Sequence, residues 1–396
     1  MSTVGESLLL IVMAVASVPV ATLLVELVSS LAGRRTPGAA VARGPLVVLI
    51  PAHNEEGVIA TTLNSIALQL APHDRVVVVA DNCSDGTAAI ARSLSVEVVE
   101  RKDPDRRGKG YALDHGRNYL LQGSAPEAVF VVDADCQLEP GCLASAGTLC
   151  AFTQRPVQAA YLMSAPDQAE YGFAKFSMFA WRIKNWARPI GLSNLGLPCM
   201  LMGSGMMFPW KLFAVAPLAT DNIVEDLQLG LDLAIAGHPP IFCPEAIVRS
   251  AFPAKSDARE SQRRRWEHGY IASILNYAPK LLLAAIKQRS RDIFGMFLEL
   301  VVPPLALLLL VAVLLLVLSL LFLVVAGWVV PFVWSLIIVG GLVGALLMAW
   351  VKYGRDVISL RELFAVPFYA AAKIPLYLQF ITQRQKGWIR TGRDSA

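Results

Sequence analysis

Two long apolar blocks constrain this chain more than any other feature. Between Ser7 and Ala32 the only charged side chain is Glu26, and between Met296 and Val351 the only one is Glu299. A helix that crosses a lipid bilayer needs about 20 apolar residues, so the first block can cross once and the second twice. Gly327-Trp328-Val329-Val330-Pro331 interrupts the second block near its middle, as the turn of a helical hairpin does. The first block has no basic start and outruns the apolar core of a secretion signal, so it reads as an anchor (7–32), not a cleaved leader. The hydrophobic share is 55% and the charged share 17%, against about 45–50% and 25% in ordinary soluble domains.

Charges beside the blocks set an expected orientation. Arg34 and Arg35 follow the first, Lys287, Arg289 and Arg291 precede the second, Lys352 and Arg355 follow it, and the hairpin turn carries no Lys or Arg. Positive-inside counting then places residues 34–291 and the C-terminus in the cytoplasm, in a multi-pass plasma (inner) membrane protein. The six cysteines show no C-x-x-C spacing and are expected as free thiols in a reducing compartment. A net charge of +4 suits a face near anionic membrane lipid. No basic-aromatic motif points to nucleic acid, and no such partner is expected.

Between the blocks the pattern changes. Leu46–Ile50, Arg75–Ala80, Val96–Val99 and Ala128–Val132 are short Val/Ile-rich runs of strand length, separated by helical spacing over Val58–Leu70, Thr87–Leu94 and Tyr111–Leu121. This alternation predicts an α/β domain with a mainly parallel sheet covered on both faces. Ligands of such sheets bind beyond the carboxyl ends of the strands. Asn54, Asp81, Asp133 and Asp135 all fall there. Alone, Asp81 fits an Asx turn as well as a site, and His53 reads as a turn residue. Asp133 and Asp135 are harder to dismiss. Two carboxylates two residues apart past a strand repel each other unless a cation sits between them. Mg²⁺ is commonly held by one or two carboxylates together with substrate phosphates.

Five segments in one order carry a resemblance: Pro51-Ala52-His53-Asn54-Glu55, Asp81-Asn82-Cys83-Ser84-Asp85-Gly86-Thr87, Asp133-Ala134-Asp135, Glu225-Asp226, and Gln262-x-x-Arg265-Trp266. Together they resemble the family 2 glycosyltransferases of GT-A fold. The nearest branch is the membrane-embedded one that includes cellulose, chitin, hyaluronan and poly-N-acetylglucosamine synthases. The likeness runs over roughly 46–270, within an expected cytoplasmic domain 44–270, and reaches the flanking membrane helices. With few spans and no appended regulatory domain, the chain departs from the large synthases.

The resemblance implies roles. Asp81 accepts a hydrogen bond from the nucleotide base, with Pro51, Asn54 and Glu55 lining the same pocket. Lys109 matches a basic residue near the donor, although a solvated loop lysine fits its position about as well. Asp135, assisted by Asp133, holds Mg²⁺ or Mn²⁺ on the diphosphate, and Asp226 is the general base, with Glu225 structural. Gln262 and Arg265 contact the diphosphate, as a guanidinium fork suits phosphate. Trp266 offers an indole face to the acceptor sugar. The Gly203-Ser204-Gly205 turn lies where backbone approaches that sugar closely, while the methionines around it read as core.

Three further segments read as helices lying in the membrane interface: Phe173–Arg188, 271–291, and Phe364–Ile381, the last within a C-terminal region 363–396 whose basic tail carries Arg384, Lys386, Arg390 and Arg393. The hairpin is expected over 296–351. Glu26 and Glu299 are costly facing lipid and are expected to face a helix partner or an interface. The reading is an inverting, metal-dependent glycosyltransferase that moves a sugar from a nucleotide sugar, UDP-linked, onto a surface or extracellular polysaccharide. Two rivals stay open: single addition to a lipid-linked, polyprenyl-(di)phosphate acceptor, and a non-catalytic subunit that binds nucleotide sugar.

Overall fold

The computed structural model describes residues 2–32, 42–164, 174–253 and 256–383; Arg34, Arg35, Phe173 and the tail residues Arg384, Lys386, Arg390 and Arg393 lie outside them. The chain folds as two compact units. One gathers the described residues from 42 to 164 and from 198 to 269; the other gathers 2–32, 174–197 and 270–383.

The first unit is built on an eight-stranded sheet in the order β3-β2-β1-β4-β7-β6-β8-β5. The strands are β1 (Leu46–Ala52), β2 (Arg75–Asp81), β3 (Glu97–Arg101), β4 (Ala128–Val131), β5 (Gln137–Leu138), β6 (Val157–Ser164), β7 (Met206–Pro209) and β8 (Ile241–Ala251). β3, β2, β1 and β4 run parallel, as do β6 and β8. β7 runs antiparallel to both β4 and β6, and β5 to β8. The sheet is therefore mixed but mostly parallel, as the Val/Ile runs indicate. Such runs suit strands buried on both faces, and Val47, Leu49, Val77, Val79, Val129 and Val131 are buried in one core with Phe208 and Phe213. Met206 and Met207 are core residues as well.

One close approach fixes the position of a functional helix. A Cβ at Gly116 would lie 2.6 Å from Leu49 Cδ1 and 2.9 Å from Val79 Cγ2. The helix Lys109–Leu120 therefore lies directly on β1 and β2. Its first residue is Lys109, which helical spacing had left in the preceding loop.

The second unit is helical. Ser2–Leu31, Leu305–Ala326 and Val329–Tyr353 are long apolar helices, and Gly327 at φ 71° ends the second of them. The helix Ser256–Gln288 contributes residues to both units, and with it four helices among the described residues are long and apolar enough to cross a membrane. The segment expected as an interfacial helix over 271–291 is thus the second half of a longer helix that also carries Gln262–Trp266. The helix expected over Phe364–Ile381 is broken into Val366–Ala371 and Ile374–Thr382. Pro367 and Pro375 sit in the first turns of those pieces, where proline starts a helix but cannot continue one.

Arg188, read as part of an interfacial face, is buried instead. Its Nε donates to Glu26 Oε2 at 2.5 Å and its NH2 to the Glu299 carbonyl at 3.0 Å. Glu26 therefore has a helix partner, as its cost in lipid required. Asn185, in the π-helical turn Ile183–Ala187 just before Arg188, is buried too.

Candidate active site

Three parallel strands end along one edge of the first unit, and their last residues open the site. Beyond β1, Asn54 adopts φ 54° and its amide grips the next loop: Oδ1 accepts from Ser84 N at 2.7 Å and Nδ2 donates to Ser84 Oγ at 3.1 Å. Glu55 N donates to Thr87 Oγ1 at 2.7 Å, and Gly86 N donates to Glu56 Oε2 at 2.7 Å. His53 Nδ1 donates to the Asp81 carbonyl at 2.6 Å. The 51–56 and 81–87 loops are thereby joined into one wall. Asn54 and Glu55 serve that wall through these bonds, and Pro51 is the residue of β1 from which it turns.

Asp81 ends β2 and is nearly buried. Its Oδ1 accepts from Arg101 NH1 at 2.7 Å and from Asn82 Nδ2 at 3.0 Å. Burial raises the Asp81 pKa, with Arg101 opposing. The sequence reading did not single out Arg101. It lies at the end of β3, paired with Asp81 in register, so its signal was available only once strand order was known.

Beyond β4, Asp133, Asp135 and Cys136 bring their ligand atoms within 4.8 Å of one another. Asp133 N donates to Ser204 Oγ at 3.1 Å, and Ser250 Oγ donates to Asp135 Oδ2 at 3.0 Å. Oxygen donors of this kind suit hard divalent ions such as Mg²⁺ and Mn²⁺. The Cys136 thiol is pushed well up by burial and then by the two aspartates.

Lys109 binds this cluster to the rest. Its Nζ donates to Asp133 Oδ1 and, at 2.6 Å, to the Gly203 carbonyl. Burial alone would lower its pKa, but the charges of Asp133, Glu225 and Asp226 outweigh burial and raise it. It is no solvated loop lysine. Gly203 has φ 89°, and a Cβ there would sit 3.2 Å from Asp226 Oδ2 and 3.9 Å from Lys109 Nζ. Gly205, at φ 74°, is as restricted: its Cβ would press on Ala159 Cβ and Val248 Cγ2 at 2.9 Å each. Only glycine accommodates both the backbone and the space. Ser204 between them is fully buried, and its hydroxyl accepts from Asp133 N and donates to Cys136 Sγ at 3.2 Å. It holds the turn against β4. Gln158, which sequence reasoning also passed over, secures the other side, donating to the Ser204 carbonyl at 2.9 Å and accepting from Met202 N at 2.8 Å.

Glu225 and Asp226 open the helix Glu225–Ile235. They share a narrow opening with Leu113, Met206, Leu218 and Leu229. Burial first, and then the charge of Asp226, push the Glu225 pKa up to about 7, with Lys109 opposing. Gln262, Arg265, Trp266 and Gly269 recur at helical spacing and so share one face of Ser256–Gln288. A Cβ at Gly269 would lie 2.6 Å from Val224 Cγ1, so this face meets the residue that caps the Glu225 helix. The first three sequence segments thus lie on one sheet edge, the fourth opens the Glu225 helix, and the helix of the fifth meets the cap of that helix at Gly269.

Residues 43–269, over half of the chain, match the family described as Glycosyltransferase like family 2. The chain is a family 2 glycosyltransferase. Among relatives of this transferase, a probable glycosyltransferase of Bacillus subtilis, YdaM, is 27% identical over 281 residues, which are 63% of this chain and 60% of the relative. The 4,4'-diaponeurosporenoate glycosyltransferase of Staphylococcus aureus is 39% identical over 90 residues, 23% of this chain and 24% of that one. The chain therefore spans less than two thirds of the length of these relatives. Among solved structures, the mannosyltransferase PcManGT of Pyrobaculum calidifontis, in complex with GDP-Man and Mn²⁺, superposes with a TM-score of 0.54. Its identity is 15%, over 94% of this chain and 100% of that one. At that identity the likeness speaks for the fold, which is GT-A.

Proposed function

We propose that this glycosyltransferase is an inverting, metal-dependent enzyme of the inner membrane that moves a sugar from a UDP-sugar onto a growing surface or extracellular polysaccharide. The observation that carries the reading is the joining of Asp133, Lys109, Gly203 and Asp226 into one cluster at the strand ends. Asp81 and the 51–55 wall take the nucleoside side of the donor. Gln262 and Arg265 take the diphosphate, and Trp266 takes the acceptor sugar beside the Gly203–Gly205 turn.

Asp133 and Asp135 would hold a Mg²⁺ or Mn²⁺ ion, which would supply a Lewis acid for the diphosphate leaving group. Lys109 fixes Asp133 and keeps a positive charge beside the leaving group's oxygens. The Asp226 carboxylate takes the proton of the acceptor hydroxyl as the oxygen attacks the anomeric carbon. The bond to the diphosphate breaks, its electron pair leaves with the nucleotide, and one displacement inverts the centre. Glu225, with its raised pKa, leaves the negative charge of the pair to its neighbour, the usual device for separating two adjacent carboxylates. The four apolar helices support the membrane assignment.

A relative named for one acceptor, 4,4'-diaponeurosporenoate, and not for a polymer favours a second reading, single addition, here to a lipid-linked acceptor. Product length separates the two: a ladder from one labelled donor supports the polymerase, and a single band supports single addition. The test of the chemistry is a panel of UDP- and GDP-sugars with the full chain in detergent, with and without EDTA. Turnover is expected only with Mg²⁺ or Mn²⁺, and Asp135→Ala is expected to abolish it, a loss of several kcal/mol of transition-state stabilisation at about 1.4 kcal/mol per tenfold. Undiminished turnover in EDTA removes the metal from the mechanism.

A further inference from the structure

Asp81 reaches the proposed nucleotide pocket with its two oxygens unequal. Oδ1 already holds Arg101 NH1 at 2.7 Å and Asn82 Nδ2 at 3.0 Å, whereas Oδ2 takes no hydrogen bond from the described residues. Both donors are themselves locked. Arg101 NH2 donates to Asp103 Oδ2 at 2.9 Å, and the guanidinium lies 5.6 Å from the centre of the Tyr111 ring. Asn82, at φ 52°, donates from Nδ2 to the Asp103 carbonyl at 3.1 Å and accepts from Asp103 N at 2.8 Å through Oδ1. Its amide cannot flip without losing all three bonds. Asp81 and Arg101 side chains are 8% and 9% exposed, so water does not readily replace either contact.

We propose that Arg101 and Asn82 are positioning residues that reduce Asp81 to a reader with one acceptor, selecting the lone imide N–H of uracil over guanine. This rests on the reading that Asp81 contacts the base. Guanine presents N1–H and its amino group side by side, a pair that matches both oxygens of a carboxylate. With Oδ1 occupied, one of those donors is left unpaired in a buried site, which costs binding. Uracil has a single N3–H between two carbonyls, so one free oxygen satisfies it and the neighbouring guanidinium opposes no donor. Cytosine in the same pose turns a bare ring nitrogen toward Oδ2 and is repelled.

The same geometry fixes what an amide would do. In Asp81→Asn, Arg101 and Asn82 both demand an acceptor at the Oδ1 position, so the new amide oxygen must sit there. Its NH₂ group then occupies the Oδ2 position and donates toward the base. The variant is predicted to lose uracil and to gain on cytosine's ring nitrogen.

The experiment measures UDP, CDP and GDP binding to the full chain in detergent with Mn²⁺, by calorimetry. For the wild type, UDP is expected to bind on the order of tenfold or more tightly than CDP or GDP. For Asp81→Asn, the UDP-to-CDP preference is expected to vanish or invert. A purely structural role for Arg101 and Asn82 would weaken all nucleotides together and leave that ratio unchanged, which overturns the proposal. So does GDP binding as tightly as UDP in the wild type, with the donor-site reading intact. If the wild type binds none of the three, the donor-site reading itself fails and takes the proposal with it. Should Asp81→Asn not fold, Arg101→Met decides: removing the charged one of the two donors on Oδ1 is expected to narrow the UDP-to-GDP ratio, and an unchanged ratio overturns the proposal.

Discussion

At the scale of single residues, the informative pair is Glu225 and Asp226. They are adjacent in sequence and open the same helix, yet burial and mutual repulsion raise Glu225 to about 7. A carboxyl whose folded pKa lies above its unfolded 4.5 contributes stability that is complete below that value and lost as pH rises through 7. Glu225→Gln should therefore match the wild type in melting temperature near pH 4 and exceed it above pH 7, with turnover retained. Asp226→Asn should abolish transfer while sparing UDP binding; a variant that still turns over would reassign the base. The acidic pair itself was legible through the family resemblance, as were Asp81 and the Asp133/Asp135 pair, which also follow apolar runs of strand length. Their partners were not. Arg101, Cys136 and Gln158 gain meaning only through register and burial, and Lys109, which the resemblance marked, fitted a solvated loop about as well until Gly116 seated its helix on the sheet.

At the scale of elements, the parallel strands β1 to β4 were legible as Val/Ile runs, and the second half of the sheet was not. β7 is four residues of Met, Phe and Pro, and β6 carries a bulge at Ala159/Ala160 in its pairing with β8. Neither gives a clean period. The continuous helix Ser256–Gln288 was hidden for a related reason, its polar first half and apolar second half reading as two segments. The contact of that helix with the Glu225 helix is made at Gly269, and it invites a direct test. Gly269→Ala places a methyl 2.6 Å from Val224 Cγ1, so one of the two helices must shift. Turnover should fall about 10²-fold, the size expected when a catalytic group moves by about 1 Å. Gly123→Ala, which meets nothing within 4 Å, serves as the control and should leave activity as it was.

At the scale of the whole molecule, the helical unit depends on a pair that sequence pattern only half disclosed. Glu26 was conspicuous as the one charge in an apolar block, but Arg188 was hidden among the basic residues of its segment. Their side chains are 2% and 5% exposed. Glu26→Ala strands a buried guanidinium and should lower stability in detergent by about 3–5 kcal/mol. Adding Arg188→Met should recover much of that loss, whereas simple additivity would mean that the two do not act as a pair. The pair also has a history within each molecule as it is made. Arg188 follows Glu26 by 162 positions, and at about 5–20 residues per second the ribosome reaches it on the order of ten seconds later. For that interval the first helix carries a lone carboxylate that no finished neighbour can neutralise. Its burial is thus tied to translation of a segment beyond the first six strands, and a pause in synthesis between the two would prolong the exposure.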